Sequence, residues 1–230
     1  MKHLKIYNEF YSGFEFTGLT DLNSIERVEL DNIIKLLEER SKKYLDNESC
    51  VVFRGTKNMD ISNGVSKLVT LKNRKPKDTN VEISNMLDDS FKNELGYRLR
   101  SSGNFTTRSL NVADTYGTPR LFIPIGNYKY FWSAEIEDLF TYLDGCDWYH
   151  DFTNSVQSYN QSNSKLDYDD YLDDITYEVE GNINDIVSQY TDNKIAVSNY
   201  HEIIFMCDEY FLIDIKYTRF IEEYIRNRNT

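Results

Sequence analysis

The spacing of apolar and polar residues changes several times along the chain, and each change predicts a structural element. Where apolar residues recur every three to four positions, we predict amphipathic helices. The predicted helices cover 23–46, 79–95, 110–116, 133–139, 182–189 and the terminal segment that ends near Arg228. Thr79 and Glu82 have the spacing of a capping box for the second helix, and Ser109 is the candidate N-cap of the third.

Short runs of β-branched and aromatic residues predict strands between these helices. The predicted strands cover 50–53, which leads into Arg54, and then 104–107, 121–125, 201–207 and 210–215. Because only Asp208 and Glu209 separate the last two runs, we predict a hairpin there. Helices come first, strands dominate the second half, and no βαβ alternation is present, so the pattern indicates an α+β fold with mostly antiparallel pairing.

A polar stretch rich in Asn, Ser, Asp and Tyr covers 153–174 and has no sustained period. We interpret it as a surface insertion and expect 155–165 to be mobile. At 230 residues the chain is long enough for one domain with a hydrophobic core and only marginally long enough for two. We therefore expect a single domain over residues 1–230, with its core at about 47–215.

Composition narrows the classes of partner and compartment. The chain carries 38 acidic and 26 basic side chains, and its net charge of -12 disfavours a nucleic-acid partner. No apolar run approaches the roughly 20 residues of a membrane span, so no membrane partner is expected. The 3 cysteines are widely separated and do not indicate a disulfide framework or a Cys-rich zinc site. A cytoplasmic, reducing compartment is the expected location.

Three parts of the chain carry candidate chemistry. Arg54 follows an apolar strand, and a guanidinium binds pyrophosphate oxygens through a planar fork of donors. The hydroxyls of Thr106, Thr107 and Ser109 can orient a ribose or a carboxylate. Glu202 opens a late strand, where a fixed carboxylate can stabilise positive charge on a sugar. Each also has an ordinary explanation, since surface ion pairs, helix caps and exposed acids are common.

The order of these residues resembles the Arg–Ser–Glu class of ADP-ribosyltransferases, which many bacterial toxins and bacteriophages encode. The resemblance depends on VVFRGT at 51–56, GNFTTRSLNVADTYG at 103–117 and YHEIIF at 200–205. RKPKDT at 74–79, FIPIG at 122–126 and WS at 132–133 make it more similar to the phage-encoded members. It implies split antiparallel β-sheets around an NAD cleft, with an N-terminal helical region.

The resemblance also implies an activity and a set of catalytic residues. The chain would be a pentosyl-transferring enzyme that moves ADP-ribose from NAD to a side chain of a host protein, without a metal. Arg54 would bind the pyrophosphate, Gly55 would be a further NAD-binding residue, and Thr106 and Thr107 would shape the nicotinamide–ribose pocket. Glu202 would stabilise the oxocarbenium-like transition state. Arg54, Thr107 and Glu202 are therefore the predicted catalytic set.

Four further positions complete the predicted site. Ser109 is the alternative to Thr107 as the equivalent of the family serine. The rings of Phe105 and Tyr116 could stack on nicotinamide or adenine. Tyr200 would contact the acceptor, since it stands two residues before the catalytic glutamate. Enzymes that modify arginine typically carry Glu there, so the Glu-x-Glu pattern is absent.

Two other functions stay open from the sequence. The acceptor could be a nucleic acid, if basic residues of the terminal helix formed a local patch. Those residues are Lys216, Arg219, Arg226 and Arg228. Alternatively, the chain could be a catalytically silent phage protein that binds or inhibits a host factor and retains the fold. The scattered histidines have no metal-ligand spacing, and the Rossmann and P-loop motifs are absent.

Overall fold

The computed structural model of the chain describes residues 22–48, 50–57, 59, 61–77, 79–161, 169–193 and 201–229. The helices are α1 Ser24–Arg40, α2 Lys42–Asn47, α3 Val81–Leu95, α4 Leu99–Ser102, α5 Leu110–Thr115, α6 Leu139–Asp144, α7 Asp147–Gln161, α8 Asp169–Ser188 and α9 Thr218–Arg228. The strands are β1 Val52–Thr56, β2 Val65–Val69, β3 Asn104–Thr107, β4 Thr118–Ser133, β5 Tyr190–Thr191 and β6 Glu202–Asp214. None of the described helices is both long enough and apolar enough to cross a membrane.

The strands pair in the order β2-β6-β3-β1-β4-β5, and β6 also pairs with β4. β1 runs antiparallel to β4 with Val52 opposite Phe122, and antiparallel to β3 with Phe53 opposite Thr107. β2 is antiparallel to β6, and β4 is antiparallel to β5. The predicted α+β class with antiparallel pairing is confirmed. The specific ADP-ribosyltransferase arrangement of the sheets stays a prediction.

Residue contacts divide the chain into two compact units. The first comprises the residues up to Thr70, then Thr106–Tyr128, and the residues from Cys207 onwards. The second comprises Leu71–Phe105 and Lys129–Met206. Because β3, β4 and β6 each continue from one unit into the other, this division does not test the single domain expected over residues 1–230.

In the first unit, α1 is amphipathic and begins with a capping box formed by Asn23 and Glu26. It buries one apolar face, made of Leu30, Ile33, Ile34 and Leu37. Two details of the predicted helix 23–46 are wrong. Ile25 and Val28 are 70% and 41% exposed. The helix also ends at Arg40, because the backbone turns at Ser41 before α2 begins.

In the second unit, α3 packs with α8, α4 and neighbouring segments around an apolar core. The fully or nearly fully buried members of this core include Ile83, Leu87, Phe91, Leu99, Phe131, Leu139, Val179, Ile183 and Ile204. α3 ends at Leu95, the end predicted for this helix, and Gly96 follows in the left-handed conformation. Its N-cap is Asn80, whose side chain accepts from the backbone of Glu82 and Ile83, so the predicted capping role of Thr79 is wrong.

Two boundaries predicted for the second half of the chain are wrong. The hairpin expected at Asp208 and Glu209 does not form, because β6 continues through both residues and Glu209 pairs with Val69. Glu209 also lacks the preference for positive φ that the second position of a two-residue hairpin turn requires. The helix expected over 133–139 is also absent: β4 continues to Ser133, and α6 begins only after Asp138, which caps it.

The polar stretch 153–174 is helical wherever the structure describes it. Its first part lies in α7 and its last part in α8, while 162–168 lies outside the described residues. Buried Phe152 anchors α7, and Val179 and Ile183 anchor α8 in the second core. The predicted helix 182–189 is therefore the end of a longer one. Tertiary packing of these few apolar residues outweighs the polar composition of the rest.

Candidate functional site

The sequence-predicted site residues lie in both units. Arg54, Gly55, Thr106, Thr107, Ser109 and Tyr116 belong to the first unit. Phe105 and Glu202 belong to the second. Tyr200 lies outside the described residues, so its acceptor-contacting role stays a prediction. The expectation that these residues line one NAD cleft also stays a prediction.

Gly55 marks a close approach between β1 and the end of α5. A Cβ atom at this position would lie 2.2 Å from the Ala113 carbonyl oxygen and 2.7 Å from Tyr116 Cβ. Both distances are shorter than real Cβ contacts, so any larger residue would push α5 away from β1. Tyr116 itself is 53% exposed. Packing of α5 on β1 therefore explains why Arg54 is followed by glycine.

The hydroxyl-bearing residues of β3 and the following turn are buried and support the turn. Thr106 and Thr107 are both buried. Thr107 Oγ1 accepts from the Ser109 N–H at 3.1 Å, and Ser109 Oγ accepts from the Val112 N–H at 3.3 Å. The prediction that Ser109 caps the helix at 110 is confirmed. The hydroxyls of Thr107 and Ser109 each accept one of these bonds, and a hydroxyl group can also donate its hydrogen.

Arg54 lies directly opposite a second arginine, Arg120, across the β1–β4 pair. The Arg54 guanidinium lies over the Tyr210 ring at 5.5 Å from the centroid. Arg120 Nη1 is 3.3 Å from Asp214 Oδ2, and its side chain is only 14% exposed. Arg120 Nε is buried and makes no hydrogen bond within the described part of the chain.

Two like charges opposite each other destabilise an antiparallel pair. Asp214 pairs with Arg120 Nη1, and a bound anion would give the buried Arg120 Nε a partner. The structure thus adds Arg120 to the candidate anion site. The sequence does not reveal this residue, because the pairing of position 54 with position 120 depends on strand register.

In the second unit, a compact turn fixes the start of β6. The Glu202 N–H donates to the Glu137 carbonyl at 2.7 Å. The neighbouring His201 Nδ1 lies 2.7 Å from the Ser133 carbonyl oxygen. Ser133 Oγ in turn accepts from the backbone N–H groups of residues 135 and 136. These contacts hold the backbone of Glu202 in a single position.

Glu202 has an unusual electrostatic environment. Burial raises the pKa of its carboxyl from 4.5 to about 7. Attraction to Arg100 lowers the pKa and so opposes this increase, while repulsion from Asp138 adds to it. The residue as a whole is partly exposed, but Oε1 is buried and makes no hydrogen bond among the described residues. Groups with such perturbed ionisation are common at functional sites. Glu202 can therefore exchange a proton or stabilise a positive charge near neutral pH.

Arg100 is a cation near Glu202 that sequence reasoning missed. Its guanidinium lies over the Phe105 ring at 5.1 Å from the centroid, and that of Arg74 lies over the same ring at 5.3 Å. Arg100 Nη2 also donates to Thr79 Oγ1 at 3.2 Å. Phe105 thus has a structural partner in each arginine, and its predicted stacking on NAD stays a prediction.

Two observations bear on the alternative ligands. Lys216 of the supposed basic patch lies within 3.4 Å of Glu26 and Glu29, and Arg228 is paired with Asp46 and Glu38. These ion pairs neutralise charge that a nucleic-acid backbone would need. Within the described ranges, no group of three or more His, Cys, Asp or Glu side chains could hold a metal ion.

Comparison with known proteins adds no relative. The chain matches no family model, no curated protein and no solved structure. No activity can therefore be taken over from a relative. The candidate functional features of the chain are the two clusters around Glu202 and around the pair Arg54–Arg120.

Proposed function

We propose that this chain is an NAD-dependent ADP-ribosyltransferase that transfers ADP-ribose to a side chain of a host protein. The observation that carries the proposal is the carboxyl of Glu202, which has a pKa of about 7 and a buried oxygen with no hydrogen-bond partner among the described residues. The sequence resemblance selects this residue independently of its environment. A phage origin follows from the resemblance alone.

The chemistry of the reaction explains the need for such a carboxylate. When the bond between the ribose C1′ and the nicotinamide nitrogen breaks, its electron pair leaves with nicotinamide and positive charge develops on C1′ and the ring oxygen. A fixed carboxylate stabilises that charge more in the transition state than in the ground state. The acceptor nucleophile then bonds to C1′ and loses a proton, which a basic carboxylate can accept.

The first unit supports the binding half of the proposal. NAD carries a pyrophosphate, and two arginines at opposite positions of paired strands suit a ligand with two negative charges. Arg54 and Arg120 lie opposite each other in β1 and β4, and Arg120 Nε has no partner within the described ranges. We assign pyrophosphate binding to this pair. Thr106 and Thr107 keep the ribose-orienting role that the resemblance implies.

The decisive experiment is release of nicotinamide from NAD by the wild-type protein and by Glu202→Ala. We expect nicotinamide release by Glu202→Ala to be slower by a factor of about one hundred or more, equivalent to about 3 kcal/mol of transition-state stabilisation. Glu209→Ala is the matched control, since Glu209 lies on the same strand and its carboxylate pairs with Arg40 and Lys67. Equal rates in wild type and Glu202→Ala would reject the proposal and favour a silent binding protein.

The acceptor is identified by a second experiment. Host lysate is incubated with NAD labelled in the adenylate half, with Glu202→Ala as the blank. We expect label on a protein that protease removes and nuclease does not. Label removed by nuclease would instead identify a nucleic-acid acceptor.

A further inference from the structure

The helical turn α4 packs directly on the start of β6. A Cβ atom at Gly103, the residue that follows α4, would lie 2.3 Å from Ile204 Cγ2 and 3.3 Å from Met206 Sδ, so the end of α4 lies against these two side chains of β6 with no room for another. Side chains alternate along a strand, so Ile204 and Met206 share their face with Glu202. Arg100, which lies in α4, therefore belongs to the segment that covers this face of β6.

Arg100 is held in one position by several contacts. Its N–H donates to Asp88 Oδ1 at 2.7 Å, and Asp88 is buried. Its carbonyl accepts from Arg74 Nη2 at 3.3 Å, while its own guanidinium bonds to Thr79 and stacks on Phe105. A cation fixed in this way loses little further entropy when it acts on a neighbouring charge.

The carboxylate of Asp138 is also fixed in position, and its charge opposes that of Arg100. Asp138 follows Glu137, whose carbonyl accepts the Glu202 N–H. The Asp138 carboxylate accepts from the Thr141 N–H at 2.8 Å and caps α6, so its position is set by the helix. Among the described residues, the buried hydroxyl of Tyr190, from β5, also interacts with Glu202, and the ring of the neighbouring His201 is bonded to a backbone carbonyl.

From this arrangement we infer that Arg100 and Asp138 are opposing positioning residues, with Arg100 keeping the Glu202 carboxylate ionised and Asp138 favouring its protonation. The inference deepens the proposed function and rests on it. A carboxylate must be ionised to stabilise an oxocarbenium-like transition state. Burial raises the pKa of Glu202 to about 7, while Arg100 opposes this increase and Asp138 adds to it, so the two residues adjust the pH range in which the site can work.

The test measures the ionisation of Glu202 directly, without NAD. The carboxyl carbons of glutamate are labelled with ¹³C, the Glu202 signal is assigned by its loss in Glu202→Gln, and its chemical shift is followed against pH. We expect Arg100→Gln to raise the titration midpoint and Asp138→Asn to lower it. Arg100→Lys keeps the charge and should leave the midpoint close to that of the wild type.

Opposite shifts are the informative result, because general loosening of the fold would move both midpoints in the same direction. Asp138→Asn retains an oxygen that can cap α6, so it tests the charge if Arg100→Gln does not fold. Midpoints that do not move, or that move together, would overturn the inference.

The pH profile of nicotinamide release provides the second readout. Its acidic limb should move to higher pH in Arg100→Gln and to lower pH in Asp138→Asn. Opposite shifts of the carbon signal without any nicotinamide release would reject the proposed enzyme while leaving the electrostatic coupling intact. Release with an unmoved carbon midpoint would reject the coupling and leave the enzyme.

Discussion

Charged side chains have different kinds of partner in two regions of this molecule. Near the terminal helix α9, Lys216 lies between Glu26 and Glu29, and Arg228 pairs with Asp46. Each of these two cations has carboxylate partners on α1 or α2, which lie in the same unit. These pairs join elements that are distant in the sequence, and their charge is compensated inside the protein.

The start of β6 shows the opposite arrangement. Glu202 has a buried oxygen without a partner in the described part of the chain, and burial raises its pKa to about 7. Arg120 likewise has a buried Nε without a partner there. An unsatisfied buried polar group costs stability, and such groups occur where a ligand completes them. Ion pairs thus hold the fold together near α9, whereas the buried Glu202 Oε1 at the start of β6 and the buried Arg120 Nε in β4 identify one candidate site in each unit.

The largest test of this comparison is the stability of Glu202→Gln. Burial gives the wild-type carboxyl a pKa of about 7 in the folded state, against 4.5 as its ordinary value. The folded protein therefore holds this proton more tightly than the unfolded chain, and stability falls as pH rises from about 4.5 to about 7. The variant lacks this loss, so it should be more stable by up to about 3 kcal/mol above pH 7.

Urea unfolding at about pH 4, 6 and 8 measures this difference. Below about pH 4.5 the wild-type carboxyl is protonated in both states, and the two proteins should unfold at similar urea concentrations. Glu209→Gln is the control, because its carboxylate is already paired with Arg40 and Lys67. A pH-independent gain in Glu202→Gln would show that the ionisation of Glu202 is not the cause.

The second test concerns the facing arginines. Inorganic pyrophosphate at about ten times its Kd should stabilise the wild-type protein by about 1.4 kcal/mol, because it binds the folded state only. Arg54→Gln and Arg120→Gln should each remove most of this gain, while Lys216→Gln should keep it. The midpoint of thermal unfolding with and without pyrophosphate measures the effect. An equal gain in all four proteins would place the anion elsewhere.

Much of the local structure could be predicted from the sequence. The strand 104–107 and the cap at Ser109 are confirmed, because both depend on residues within a few positions of each other. Asp208 and Glu209 were misinterpreted for the opposite reason: only their pairing with β2 shows that the strand continues. Polar residues in the middle of a strand resemble a turn when the partner strand is unknown.

The residues of the candidate site also differ in whether the sequence alone reveals them. The sequence selects Glu202 and Arg54 through a resemblance that spans short motifs. Arg120 is recognised as a site residue only from the register of β1 and β4, and Arg100 only from the packing of α4 on β6. The burial of Oε1 is likewise a property of the folded chain. Interactions between residues that are distant in the sequence therefore supply the electrostatic part of the site.

The smallest expected effect concerns the compensated charges. Lys216→Met removes a cation that bridges Glu26 and Glu29 on α1. Its side chain is largely exposed, so the loss of stability should not exceed about 1 kcal/mol, and about 1 M salt should remove most of the difference from wild type. Nicotinamide release should not change at all, because this charge serves the docking of the chain end on α1. A loss of activity comparable to that of Glu202→Ala would mean that this ion-paired residue matters to the activity as much as Glu202 does.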